Sequence, residues 1–350
     1  MRYADTKSWI NNLGAFRHVF RGHFVPWDRA GLLAVLVLTL AFLASDWTDD
    51  SGESPSLVLG EHKGPILSIE AVGGTTDLLT LDMTGEVCLW DTRSRRIRSS
   101  WGDAGLPVRS MAVSLYGAAL AIGGLDGTIL FCDIRKNKED VVFRAVHGGV
   151  RALALSPDAT TLAAVDGPFL VSVDTRTHLV RSSRRIEEGV VTTLRFSPDG
   201  HSLVATGRDR AIRIWDVATG QTQAVFRGHT GWIHPIAIAP DGSMIASPGA
   251  NDGLVRIWDV PGRRLRGLLK GPPCGVRGVA FAPDGKSIAT GHGRGTIILW
   301  NSDTLRERVT FRSPGLDVCA LAFSQDGQKL ISGGADSSLR IWDLARLQRD

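Results

Sequence analysis

The chain has 350 residues, 43% of them hydrophobic and 22% charged, which suits a protein with a substantial core and excludes a disordered chain. Its net charge of +4 arises from 40 basic against 36 acidic residues, too even a balance for a dedicated nucleic-acid binder, so no nucleic-acid partner is expected. Forty glycines without a collagen period imply many tight turns, as in all-β folds with short strands.

Residues 1–29 form a basic leader carrying Arg2, Lys7, Arg17, Arg21 and Arg29. Trp9, Leu13, Phe16 and Phe20 recur at helical spacing, with Thr6 or Ser8 placed to cap the start. That pattern fits a short amphipathic helix at a membrane surface or on a membrane partner. Gly14 and the Asn11-Asn12 pair leave an unstructured tail equally open. Ala30 to Ser45 then reads as sixteen uncharged residues, and counting from Trp27 to Trp47 gives twenty-one. A helix of that length measures roughly 31 Å, enough to cross a bilayer, with a tryptophan at each interface. One transmembrane helix is therefore predicted over 30–45. The acids that follow (Asp46, Asp49, Asp50, Glu53) place the N-terminus in the cytoplasm and the rest on the periplasmic or extracellular side. A cleaved signal peptide is the competing reading, disfavoured by the long leader and by Phe42 or Leu43 three residues before any cut. Residues 46–56 are a polar linker.

From residue 57 the chain is periodic. A pair closing each unit appears at Trp90-Asp91, Cys132-Asp133, Val173-Asp174, Trp215-Asp216, Trp258-Asp259, Trp300-Asn301 and Trp342-Asp343, at intervals of 42, 41, 42, 43, 42 and 42. A turn of the Ser-Pro-Asp-Gly kind recurs with Asp158, Asp199, Asp241, Asp284 and Asp326. Proline presets its first φ, aspartate bonds back to the backbone, and glycine accepts positive φ. Strand-like text flanks each turn, so every unit holds about four short strands.

Over 57–343 the chain resembles the WD-repeat β-propeller family, whose unit runs from Gly-His to Trp-Asp. Arg227-Gly228-His229 through Trp258-Asp259 shows it most fully. The resemblance implies an all-β, seven-bladed propeller preceded by the transmembrane helix, with residues 344–350 as a tail. It also implies a buried hydrogen-bonded tetrad of His229, Ser247, Asp252 and Trp258. The seventh unit lacks the histidine, the sixth has Arg294 where the aspartate belongs, and the second and third carry Cys132 and Val173 in place of tryptophan. Blades two and three are accordingly expected to be the softer part of the ring. Leu57-Val58-Leu59 should complete the last blade and close the ring, leaving no open edge.

Catalytic patterns are absent from the sequence: the nine histidines show no metal spacing, and there is no nucleophile elbow or phosphate loop. Cys88, Cys132, Cys274 and Cys319 form no C-x-x-C pair and read as buried free thiols, with a disulfide left open. The repeated turn aspartates are strung around the ring and do not converge as an acid–base pair. No cofactor or metal is expected.

In the family, the start of each inner strand faces the channel mouth at the narrow top of the ring. Aligned units place Leu67, Arg109, Arg151, Thr192, His234, Arg277 and Cys319 at one position, with Pro65, Pro107, Gly149, Val190, Trp232, Gly275 and Asp317 two residues earlier. Arg109, Arg151, Arg208, Trp232, His234 and Arg277 would then form a partner-binding set suited to an acidic segment of a protein. The expectation is a non-catalytic, membrane-anchored scaffold working through this top face. The alternative is a permanent accessory subunit of a larger membrane complex, held by the anchor and leader.

Overall fold

A computed structural model of the chain describes residues 56–101, 108–114, 119–134, 138–144, 148–186, 191–233, 235–249 and 253–347. Within them the strands pair into seven four-stranded sheets. Blade one spans 66–101, blade two 108–144, blade three 150–185, blade four 191–227, blade five 237–270 and blade six 276–312. Blade seven joins 318–343 to the strand Ser56–Glu61. The fold is an all-β, seven-bladed propeller.

Blade one shows why these residues make these strands. Its inner strand Ile66–Ala71, second strand Asp77–Asp82, third strand Val87–Asp91 and outer strand Arg96–Trp101 pair antiparallel in sequence order. Neighbouring blades cover both faces of the second strand, so it is buried along its whole length and reads as a near-continuous apolar run. The outer strand faces solvent and is mostly exposed, with arginines along it.

The core is divided among the interfaces between blades. Seven apolar clusters occur among the described residues, each drawn from two adjacent blades. The cluster joining blade seven to blade one holds Leu339 and Ile341 against Ile66, Leu78 and Trp90. The tryptophans of the closing pairs each pack on the preceding blade. Close approach needs glycine at these seams: a Cβ on Gly123 would sit 2.6 Å from Val150 Cγ1, and one on Gly333 would sit 2.6 Å from Ile66 Cγ2. Both glycines lie at strand ends rather than in turns.

Closure is by strand pairing. Ser56 faces Trp342, Leu57 faces Ile341 and Val58 faces Arg340, so the first described strand is the outer edge of the last blade. Inner and outer ends of the ring are thereby hydrogen-bonded to each other, and neither is left as a free seam.

The expected single-pass membrane localisation is corrected. Among the described residues no helix is long and apolar enough to cross a membrane. The longest is the four-residue turn Leu344–Leu347, against the ~20 residues that a span requires. The Ala30–Ser45 stretch on which that expectation rested lies outside the described residues, as do the leader and most of the linker.

Candidate interaction face

A buried indole N–H needs an acceptor. Four blades supply one from a hydroxyl on the second strand. Trp90 donates to Thr80 Oγ1 at 2.8 Å, Trp258 to Ser247 Oγ at 2.8 Å, Trp300 to Thr290 Oγ1 at 2.8 Å and Trp342 to Ser332 Oγ at 2.9 Å. In blade five His229 Nε2 lies 2.7 Å from the same Ser247 hydroxyl, and Arg256 Nη1 lies 3.3 Å from His229 Nδ1. Asp252 falls outside the described residues.

Blade one builds a comparable network around His62, which stands at the position of the repeat's histidine, with Asp82 outside that pattern. His62 Nε2 is 2.6 Å from Thr80 Oγ1, and its Nδ1 faces Asp82 Oδ2 at 3.5 Å. Asp82 is the last residue of its strand, and its carboxylate also accepts the backbone N–H groups of Gly64, Thr84 and Glu86. Blade six takes its imidazole from the second strand itself: His292 Nε2 lies 2.8 Å from Thr290 Oγ1. The ring lies over Gly271, where a Cβ would come within 2.1 Å of it. Burial lowers the His292 pKa to about 4, so this imidazole is neutral. Burial also lowers His62, against the opposing pull of Asp82 and Glu86.

The same fault recurs at the start of every inner strand. Register slips between Ile66 and Ser68, Val108 and Ser110, Val150 and Ala152, Val191 and Thr193, Val276 and Gly278, and Val318 and Ala320. In blade five the bridge Ile233↔Gly249 followed by Ala237↔Ala246 carries the same one-residue slip. A β-bulge turns its extra residue away from the ladder. The residue before each bulge is buried except the half-buried Val108, whereas Leu67, Arg151 and Arg277 are exposed and Thr192 and Cys319 are half-buried. Arg109 occupies a bulge but its side chain is not among those described, and His234 lies outside the described residues.

The turns between second and third strands share this end of the ring. Met83 N–H bonds to Pro65 O just ahead of the first inner strand, and Leu125 O abuts Gly149 ahead of the third. Arg208, in the corresponding turn of blade four, lies over the Trp232 indole with its Cζ 4.5 Å from the ring centroid. Trp232 itself is 46% exposed. Arg277 is already paired, its Nε 2.8 Å from Asp317 Oδ2, while Asp317 Oδ1 accepts the Arg294 backbone N–H at 3.0 Å.

The opposite end carries the repeated turn aspartates. Each is occupied with its own turn: Asp158, Asp199, Asp241, Asp284 and Asp326 accept the backbone N–H two residues on. Hydrogen bonds from Ser197 and Ser324 hold Asp199 and Asp326 below the usual carboxylate range. All four cysteines are free thiols. Burial pushes Cys88 up to about 12 and Cys319 up to about 11, so neither is a thiolate nucleophile at neutral pH.

Residues 181–216, 220–259, 263–301 and 306–343 each match the model of the WD domain, G-beta repeat. Residues 181–343 thus carry four WD repeats. Transducin beta-like protein 3 of Rattus norvegicus is 33% identical over 156 residues, covering 42% of this chain and 19% of that protein. Cell division cycle 20.1, cofactor of APC complex, of Arabidopsis thaliana is 30% identical over 212 residues, 57% of this chain and 45% of that protein. Human WD repeat and SOCS box-containing protein 1 is 44% identical over 64 residues, 18% of this chain and 15% of that protein. The chain thus spans less than half the length of each relative. Propellers of WD repeats typically mediate protein–protein interaction.

On this ring the described aligned positions share one end, and their surroundings divide it in two. Arg151, Arg208, Trp232 and Arg277 make a cationic and aromatic arc over blades three to six. Leu67, Met83 and Leu125, exposed at 45%, 57% and 46%, make an apolar arc over blades one and two. Sequence reasoning left Met83 and Leu125 unnoticed. Their signal was available: each is a large apolar residue at the tip of a turn whose counterpart elsewhere is polar or small.

Proposed function

We propose that this WD-repeat propeller is a non-catalytic scaffold that holds a protein partner across its top face. An acidic segment of that partner would lie over Arg151 and the Arg208–Trp232 stack, and an apolar segment over Leu67, Met83 and Leu125. The observation carrying this reading is the bulge repeated at the head of the inner strands, which leaves Leu67, Arg151 and Arg277 exposed beside the buried Ile66, Val150 and Val276. Arginine and tryptophan contribute disproportionately to interface energy, and Arg208 pre-orders the exposed indole. Arg277 contributes less to acidic selectivity, because a partner carboxylate has to compete with Asp317. Absence of catalysis is supported by the carboxylates of the opposite end, each engaged by its own turn.

The test is a photo-crosslinking residue placed at 232, compared with one at the exposed Asp303 of the opposite end. Crosslinks to one protein from 232 alone, lost on Arg151→Glu, are the expected result. Equal capture from both positions moves the interface off the top face.

A further inference from the structure

Blade one differs from blade five at one buried place. In blade five the third-strand residue two before the tryptophan is Arg256, and its guanidinium lies against His229 Nδ1. The same register position in blade one is Cys88. A thiol therefore stands where blade five has a cation, and Glu86, two residues earlier, lies on the same face of the chain.

His62 is left short of a partner by this exchange. Its Nε2 is committed to Thr80 Oγ1 at 2.6 Å. Its Nδ1 is buried on a side chain of 0% exposure and faces Asp82 Oδ2 at 3.5 Å without forming a hydrogen bond. A ring nitrogen of His62, a carboxylate oxygen of Glu86 and Sγ of Cys88 all lie within 4.8 Å of one another. Among the described residues this is where three ligating side chains converge. We propose that His62 Nδ1, Glu86 and Cys88 Sγ form a zinc site inside blade one, in the place that an arginine fills in blade five.

The donor set points to the metal. A thiolate, an imidazole and one carboxylate suit Zn²⁺ and its spectroscopic substitute Co²⁺, whereas Ca²⁺ and Mg²⁺ take oxygen ligands. Tetrahedral bonds of 2.0–2.3 Å would draw the ligand atoms to roughly 3.5 Å apart, a closure of about one ångström. Binding would expel the Cys88 proton to solvent and leave a zinc thiolate. Asp82 is spoken for by the Gly64, Thr84 and Glu86 N–H groups, so it anchors the Glu86 backbone rather than ligating, and its 3.5 Å contact with Nδ1 would give way to the metal. Lys63 Nζ, 3.1 Å from Glu86 Oε1 and 58% exposed, is the cation that the metal would displace.

The experiment is a titration of the chelator-treated full chain with Co²⁺, followed by Zn²⁺ against a chromophoric competitor. One equivalent of Co²⁺ should bind with a sulfur-to-metal charge-transfer band, and Zn²⁺ should erase that band. Cys88→Ser should abolish the band and the bound equivalent, while a Cys274→Ser, Cys319→Ser double variant should keep both. Glu86→Gln, at the half-buried rim, should weaken Zn²⁺ by about tenfold or more. Lys63→Ala should tighten it. Absence of the band in the folded protein, or its survival in Cys88→Ser, overturns the proposal. Should Cys88→Ser not fold, unchanged affinity in Glu86→Gln overturns it equally.

Discussion

Blades five, six, seven and one hold their tryptophans by a bond to a buried hydroxyl; blades two, three and four do without it. In that second arc the hydroxyl position is Ile122, Ala164 or Ala205, and the tryptophan position on the third strand is Cys132, Val173 or Trp215. Both arcs bury their apolar faces between blades. The difference teaches that the ring is made by apolar packing in every seam and that the polar network is an addition to it. Buried histidines also segregate: His62, His229 and His292 all belong to the hydroxyl-bearing arc.

The largest effect that would break this comparison is loss of the indole. Trp258 is 3% exposed, and Trp258→Ala should cost about 3–5 kcal/mol in denaturant unfolding. Val173→Ala in the other arc removes the equivalent of two methylenes and should cost about 1–2 kcal/mol. Equal losses would mean that the two arcs are held in the same way.

Acid should separate the arcs next. In the unfolded chain His292 titrates near 6.5, and in the folded chain near about 4. Between those values the unfolded state binds a proton that the native state refuses. The stability contributed by the neutral imidazole is therefore complete above about pH 6.5, falls as the pH drops towards 4, and is flat below that. The gap corresponds to on the order of 3 kcal/mol. His62 is lowered by burial too and adds to the loss in the same direction. Thermal melts of His292→Gln against the unmodified chain, from pH 7 to 4, should show a shallower decline in the variant. Parallel curves would show that the acid response comes from elsewhere.

How much of this was legible in the sequence follows from the range of each interaction. The closing pair of each unit, the turn aspartates and the closing strand are local or periodic, and one chain displays them. The bulge is not local: it is a slip between partners sixteen residues apart, as with Ile66 and Asp82, and no composition marks it. Asp82 looked like an ordinary strand end because its partners His62 and Gly64 stand eighteen residues away or more. His292 was hidden for the opposite reason, since its ring fills from within a strand the place that the repeat assigns to the preceding loop. Arg277 and Asp317 both stood at aligned positions, yet their pairing needed the two blades side by side. The membrane expectation came from hydropathy, the flanking tryptophans and the charge asymmetry around 30–45, and has no counterpart among the described residues.

A narrower test removes only the acceptor. Thr290→Val keeps the shape of a side chain of 0% exposure while deleting the hydroxyl that Trp300 N–H and His292 share. Leaving a buried donor without a partner should cost about 1–3 kcal/mol. A double-mutant cycle with His292→Gln should be strongly non-additive, because both substitutions break one network.

The smallest effect sharpens the comparison from the other side. Blade four has the indole without the hydroxyl: Trp215 is 3% exposed and Ala205 is 1% exposed. Ala205 faces Arg213 in the ladder, the register in which Ser247 faces Arg256 in blade five. Ala205→Ser would thus place an acceptor where blade five has one, at the expense of one extra buried atom. If the hydroxyl is the whole difference between the arcs, the substitution should gain about 0.5–1.5 kcal/mol, read as a small rise in melting temperature. A loss would instead show that the Trp215 indole is oriented by the Arg184 guanidinium, 5.1 Å from its ring, and no longer presents its N–H to the second strand.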